Sequence, residues 1–176
     1  MDLDILRSVS ILRELDDAEL SAIAKLFTVR QVKSGDRILE EGMPVKAFYI
    51  VCDGVVHVRR LAQKREMLLG RIGVGGFFGE VNLFDPGVAT ASIYAMKQVT
   101  IAAVDYDSLR QFMSSTPDTG YKMVCAMMAE LARRLRLMSG RLVNAVYWSS
   151  EQMAAPDRSR SSGASNAELG IEPSQP

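Results

Sequence analysis

A chain of 176 residues provides one hydrophobic core of ordinary size and an extension beyond it. With 48% hydrophobic and 24% charged residues it has the make-up of a globular protein, and 21 basic residues balance 21 acidic ones, which removes any global attraction to nucleic acid or to an anionic membrane. No apolar run approaches the roughly 18 residues of a membrane span, and Met1-Asp2-Leu3-Asp4 lacks the basic start of a secretory signal, so a cytoplasmic protein is expected.

From Asp4 to Leu26 apolar residues recur at helical intervals, through Ile5, Leu6, Val9, Leu12, Leu20 and Ile23. The pattern breaks at Asp16-Asp17, where Asp16 and Glu19 have the spacing of a capping box, so two short helices are predicted. Residues 27–105 change period. About seven short apolar segments, at 27–32, 38–39, 47–52, 55–61, 67–72, 92–94 and 99–104, are separated by glycine-bearing turns. Asp53-Gly54 predicts a type I′ hairpin between two of them. Strands at this spacing call for a sandwich or an antiparallel barrel of jelly-roll kind, whose interior Val, Ile, Leu and Phe fill without a ligand.

Asp105-Tyr106-Asp107-Ser108 offers N-caps for a helix carrying Leu109, Phe112 and Met113, and a longer helix follows Pro117-Asp118 to about Trp148. Along the latter Val124, Met128, Leu131, Leu135, Met138, Leu142 and Ala145 alternate four and three residues apart, a heptad seam that predicts pairing of two such helices. Met127, Ala132 and Val143 widen the stripe, so docking on the protein's own core is the other reading. Arg133, Arg134, Arg136 and Arg141 decorate the outside as a solvated face. After Trp148 the composition turns to Ser, Ala, Pro, Gly, Arg and Glu without periodicity, which predicts a disordered tail over 149–176.

Residues 75–92 stand apart. Gly75, Gly76 and Gly79 let the backbone turn tightly and come close to a ligand, and Glu80-Val81-Asn82-Leu83-Phe84 is long enough for about one helical turn before Asp85-Pro86-Gly87. Unpaired N–H groups at the start of such a turn suit an anion, yet Glu80 repels one and is better placed to accept hydrogen bonds from sugar hydroxyls. A glycine turn with a solvated glutamate is the plainer alternative. Catalytic constellations are missing: the single His57 lies on a strand with an expected exposed face, and Cys52 and Cys125 lack metal-ligand spacing and are expected reduced and buried. Neither an enzyme nor a metal site is expected.

The order of these parts resembles the cyclic-nucleotide-binding domain family over about residues 4–148. Gly35-Asp36-Arg37-Ile38-Leu39-Glu40-Glu41-Gly42 is similar to the family's second-strand turn, Phe48 to Val56 to its central hairpin, and Phe78-Gly79-Glu80-Val81-Asn82-Leu83 to the opening of its phosphate-binding cassette. Ala132-Arg133-Arg134-Leu135 is similar to the dimer helix of catabolite-activator-type bacterial regulators. The resemblance implies an α+β fold in which an antiparallel β jelly-roll barrel is flanked by N-terminal helices and a long C-terminal dimerisation helix. The domain would span 1–148, with the dimer helix, a coiled coil, at 119–148. It further implies that Glu80 accepts from a ribose 2′-hydroxyl, that Gly79 and the N–H groups after it, Val81 included, meet a cyclic phosphate, and that Thr90 offers its hydroxyl to that phosphate. Phe78 and Ala91 flank these positions. Ser139 falls where the bacterial subfamily reaches the nucleobase, beside Met138, which replaces a threonine that reads adenine.

One departure stands out. Ala89 takes the place of the arginine that pairs with the phosphate, and no lysine or arginine occurs between Arg71 and Lys97. Such a charge-assisted bond is worth roughly 1.5–3 kcal/mol. Arg71, on the strand leading to the cassette, is the candidate substitute. The expected function is a homodimeric, non-enzymatic regulatory module binding cAMP or another cyclic nucleotide at a weakened phosphate site, with a protein partner downstream. The alternative is a degenerate, nucleotide-independent protein-interaction module. With only the tail after Trp148 no recognition helix is expected, so DNA is not an expected partner.

Overall fold

In a computed structural model of the chain, residues 2–154 are described, with side chains as far as residue 147. Helix α1 (Leu3–Ser8), a 3-10 turn (Ser10–Leu12) and helix α2 (Asp17–Ala24) come first. The predicted capping box opens α2: the Glu19 N–H donates to Asp16 Oδ1 and the Asp16 N–H to Glu19 Oε2, both at 2.8 Å. Two orphan backbone donors are thereby satisfied where the helix starts.

Strands β1 (Thr28–Val32), β2 (Arg37–Leu39), β3 (Ala47–Asp53), β4 (Val56–Ala62), β5 (Arg65–Ile72) and β6 (Phe77–Phe78) follow. Helix α3 (Glu80–Phe84) separates them from β7 (Ser92–Ala95) and β8 (Val99–Asp105), and helices α4 (Tyr106–Ser115) and α5 (Pro117–Ala154) come last. The strands form two antiparallel four-stranded sheets, in the orders β1-β8-β3-β6 and β2-β7-β4-β5. The closed jelly-roll barrel expected from the strand spacing is therefore not what forms: no ladder joins one sheet to the other, and each keeps two edges.

The Asp53-Gly54 hairpin is corrected for the same reason. β3 and β4 lie in different sheets, so this turn carries the chain from one to the other. Gly54 has φ +83°, and a Cβ there would sit 2.8 Å from Val99 Cγ1, so both the turn and the packing on β8 require glycine. The tight hairpin is β4–β5. Its two turn residues, Gln63 and Lys64, both have positive φ (47° and 66°) between the paired Ala62 and Arg65, which is the type I′ requirement met without glycine.

Two apolar cores explain the strand patterns. One lies between the sheets and contains Val32, Val51, Val56, Phe78, Ile93, Ala95, Val99 and Ile101. The other lies on the opposite face of the β1-β8-β3-β6 sheet, where Phe48, Ile50, Phe77, Ala102 and Val104 meet Leu6, Leu12, Leu20 and Ile23 of the N-terminal segment, and Leu109, Met123 and Met127. Buried on both faces, β3 and β8 read as nearly continuous apolar runs, whereas β4 and β5 of the other sheet are half-buried or exposed over most of their length.

The described chain divides after Arg133 into two units. In the first, the start of α5 buries Met123 and Met127, four residues apart, in the helix-side core. Glu19 holds it as well, accepting from Thr119 Oγ1 at 2.7 Å and from Lys122 Nζ at 2.9 Å. The second unit carries the rest of α5, which continues past Trp148 to Ala154; residues 155–176, most of the expected tail, lie outside the described ones. The expected coiled coil is not supported: α5 is one continuous helix, with Met128, Leu135, Met138 and Leu142 of the seam each 60% or more exposed. Among the described residues no helix is long and apolar enough to cross a membrane.

Candidate functional site

The cassette begins on β6, a strand too short to announce itself. Phe77 and Phe78 pair with Ile50 and Tyr49 of β3, and strand alternation sends the two rings to opposite faces. Phe77 meets Phe48 in the helix-side core, with centroids 5.5 Å apart, while Phe78 stacks on Tyr49 between the sheets at 4.9 Å. Gly79 then turns the chain. Its φ is +85°, and a Cβ would come within 2.6 Å of the Ala47 carbonyl oxygen, so neither the conformation nor the space admits a side chain.

Gly79 is the N-cap of α3, and α3 buries Glu80, Asn82 and Leu83 while Val81 and Phe84 face solvent. Glu80, only 5% exposed, is a carboxylate taken into the fold rather than the solvated side chain of the plainer reading. Two side chains of α4 tie this turn down. The Tyr106 hydroxyl donates to the Gly79 carbonyl at 2.5 Å, and the Arg110 guanidinium donates to the Leu83 carbonyl at 2.5 Å, covering an orphan acceptor at the end of α3. Burial pushes the Tyr106 phenol up, with the neighbouring Tyr49 and Glu80 adding to it, so it remains a donor at any physiological pH. Neither residue stands out in the sequence as part of a site. Their signal was their spacing: once Asp105 is the N-cap, accepting from the Ser108 N–H at 2.8 Å, residues 106 and 110 share one helical face.

The far end of the cassette is built from backbone. Asn82 Nδ2 donates to the Val88 carbonyl at 3.2 Å, drawing the chain back over α3. Ala89, 5% exposed, donates its N–H to the Met43 carbonyl at 2.8 Å and accepts from the Gly42 N–H at 2.9 Å. The β2–β3 loop thus grips the position where the resemblance expects an arginine. Met43 also helps to line a cleft of about 490 Å³, with Arg37, Leu39, Glu40, Lys46 and Tyr49 among its other walls. Thr90 is exposed and Ala91 half-buried, and Ser92 Oγ accepts from the Glu41 N–H at 3.0 Å.

The structure therefore brings Phe78, Gly79, Glu80, Val81, Ala89, Thr90 and Ala91 into one segment leading from β6 to β7. Met138 and Ser139 belong to the second unit, on an exposed stretch of α5. Arg71 does not replace the missing cation from β5. It lies opposite His57, whereas the flanking pair Val56 and Ile72 packs in the inter-sheet core, so Arg71 and His57 take the outer face. There burial, then Arg71 and Arg59, pushes the His57 imidazole down. Of the two free cysteines Cys52 is buried as expected, but Cys125 is exposed on α5. Among the described residues no cluster of His, Cys, Asp or Glu could hold a metal.

Residues 29–116, half of the chain, match the model of the cyclic nucleotide-binding domain. Over 145 residues the chain is 29% identical to the CRP-like cAMP-activated global transcriptional regulator of Mycobacterium tuberculosis, a match covering 82% of this chain and 63% of that protein. Its fold is similar to the N-terminal domain of a transcriptional regulator from Streptomyces coelicolor A3(2), with 28% identity, a TM-score of 0.66 and coverage of 79% of this chain and 95% of the other. It is also similar to the Thermus thermophilus catabolite activator protein, with 26% identity, a TM-score of 0.70 and coverage of 78% and 63%. The chain spans less than two thirds of the length of the curated regulator it matches, 63%. The glycine turn into a buried glutamate, the short helix behind it and the matched residues agree: this chain belongs to the cyclic nucleotide-binding domain family.

Proposed function

We propose that the chain is a ligand-sensing regulatory module that binds a cyclic-nucleotide-like molecule at the cassette, through a weakened phosphate site, and acts as a homodimer. One observation carries this reading: the backbone that presents Glu80 is bonded to α4 at both ends of α3, through Tyr106 and Arg110. Glu80 is the acceptor for ligand hydroxyls, and Gly79, Val81 and Thr90 meet the remainder of the ligand. A ligand that shifts α3 pulls on α4, and α4 leads directly into α5 across Thr116. Such a ligand biases the helices by its differential affinity for their two arrangements. The exposed seam of α5 supports the second copy as its partner, because Leu135, Met138 and Leu142 otherwise leave an apolar stripe in water. A downstream protein reads the change.

Calorimetric titration with cAMP and cGMP tests the site: heat is expected from the native chain and none from Glu80→Ala. Silence from both cyclic nucleotides and their nucleosides at millimolar ligand would leave only a nucleotide-independent interaction module. Sedimentation tests the seam. Leu135→Glu is expected to yield monomers, and a dimer that persists would remove α5 from the interface.

A further inference from the structure

The far end of the cassette lacks more than an arginine. Ala89 contributes a buried methyl group, and both of its backbone polar groups are engaged with Gly42 and Met43, so this position offers a ligand neither a charge nor an N–H. Nearby cations are engaged elsewhere. Arg110 is paired with Asp107 at 3.6 Å and turned to the Leu83 carbonyl, Arg37 is closed on Glu40 at 2.6 Å, and Arg71 takes the outer face of its sheet. Arg30 and Lys46 are exposed, where water screens a charge. α3 is a single short turn, and its first residue is the buried carboxylate Glu80. An anion placed here gives up its hydration beside the Glu80 carboxylate, and neither Ala89 nor Thr90 brings it a charge of opposite sign. A neutral ligand with hydroxyl groups loses little on entering, and its hydroxyls make charge-assisted bonds to the carboxylate.

We propose that the cassette takes an uncharged, diol-bearing ligand of nucleoside type in preference to the corresponding 3′,5′-cyclic phosphate. This rests on the cassette being the ligand site, and it names the ligand class which that site selects. Glu80 grips the adjacent hydroxyls, and the surface formed by Ala89 and Thr90, neutral throughout, closes over the end of the sugar where a phosphate would otherwise need a cation.

Matched pairs isolate the phosphate: adenosine against cAMP and guanosine against cGMP, titrated into the full chain by calorimetry, with 2′-deoxyadenosine as a third probe. The nucleoside is expected to bind about tenfold or more tighter than its own cyclic phosphate, and the 2′-deoxy compound to lose most of that affinity. A cyclic phosphate that binds as tightly as its nucleoside, or tighter, overturns the preference while leaving the sensing module intact. No heat from any of them removes the ligand site itself, and this inference with it. Ala89→Arg is expected to reverse the order within each pair. Because that position is buried, Thr90→Arg, at the exposed neighbour, serves as the second variant; it should tighten only the cyclic phosphates, and an equal gain for nucleosides would overturn the role given to charge.

Discussion

The two ends of the cassette are held by different means. At its start, Gly79 and α3 are fixed by a positive φ, a close approach to β3 and two side-chain bonds from α4. At its far end Ala89 is fixed by two backbone bonds to the β2–β3 loop, and its neighbour Val88 is held through its carbonyl by Asn82 of α3, with no bond from α4. The start is therefore the mechanical end, where ligand contact reaches the helices, and the far end is the selective one, where the exposed Thr90 can vary with little structural consequence.

Substitution at the glycines should break this contrast most forcefully if it is wrong. Gly79→Ala must force a left-handed backbone on alanine and push a methyl group against the Ala47 carbonyl, so a loss of about 2 kcal/mol or more is expected in urea unfolding. Gly87→Ala meets nothing nearer than 3.7 Å and is expected to stay within about 0.5 kcal/mol. Equal effects at the two positions would erase the distinction. Tyr106→Phe removes the hydroxyl from the Gly79 carbonyl and should cost about 1 kcal/mol, together with weaker ligand binding. A stability loss with unchanged ligand affinity would cut α4 out of the path.

A further, modest effect is expected where that path meets α5. The Asp16 N–H, then Lys122 and Thr119, hold the Glu19 carboxyl down to about 2, against an ordinary value of 4.5. A folded-state value below the unfolded one means stability that is complete above pH 4.5 and lost as pH falls from there through about 2. Glu19→Gln should cost about 0.5–1 kcal/mol at neutral pH, as exposed pairs and caps do. The gap between native and variant should close across that acid window, measured by urea unfolding at a series of pH values. A gap independent of pH would show that the carboxylate charge does not hold α5.

Local signals in the sequence were dependable where one residue type answers one backbone need. The capping box at Asp16 and Glu19, the turn at Gly79 and the apolar segments of β3 and β8 all appear where the pattern put them. What could not be read locally was pairing. β6 has only two residues, and its identity as a strand comes from Ile50 and Tyr49, far away in the chain. Asp53-Gly54 has hairpin chemistry, yet the packing of Gly54 against Val99 turns it into a passage between sheets, while the real type I′ turn hides in Gln63-Lys64. Glu80 was legible as a residue type but not as a buried one, because its burial depends on how α3 is seated beneath α4.

β6 has a further consequence. The cassette hangs from the most deeply buried sheet by two residues at its edge, so releasing it breaks a short ladder, the two bonds from α4 and the packing of Phe77 and Phe78, and leaves the pairing of β3 with β8 intact. Local opening of that kind lies well below global unfolding in free energy. The segment can therefore act as a shutter on a fixed frame: amide protons of residues 77–84 would exchange with solvent long before those of β8, and a bound ligand would slow the first without touching the second.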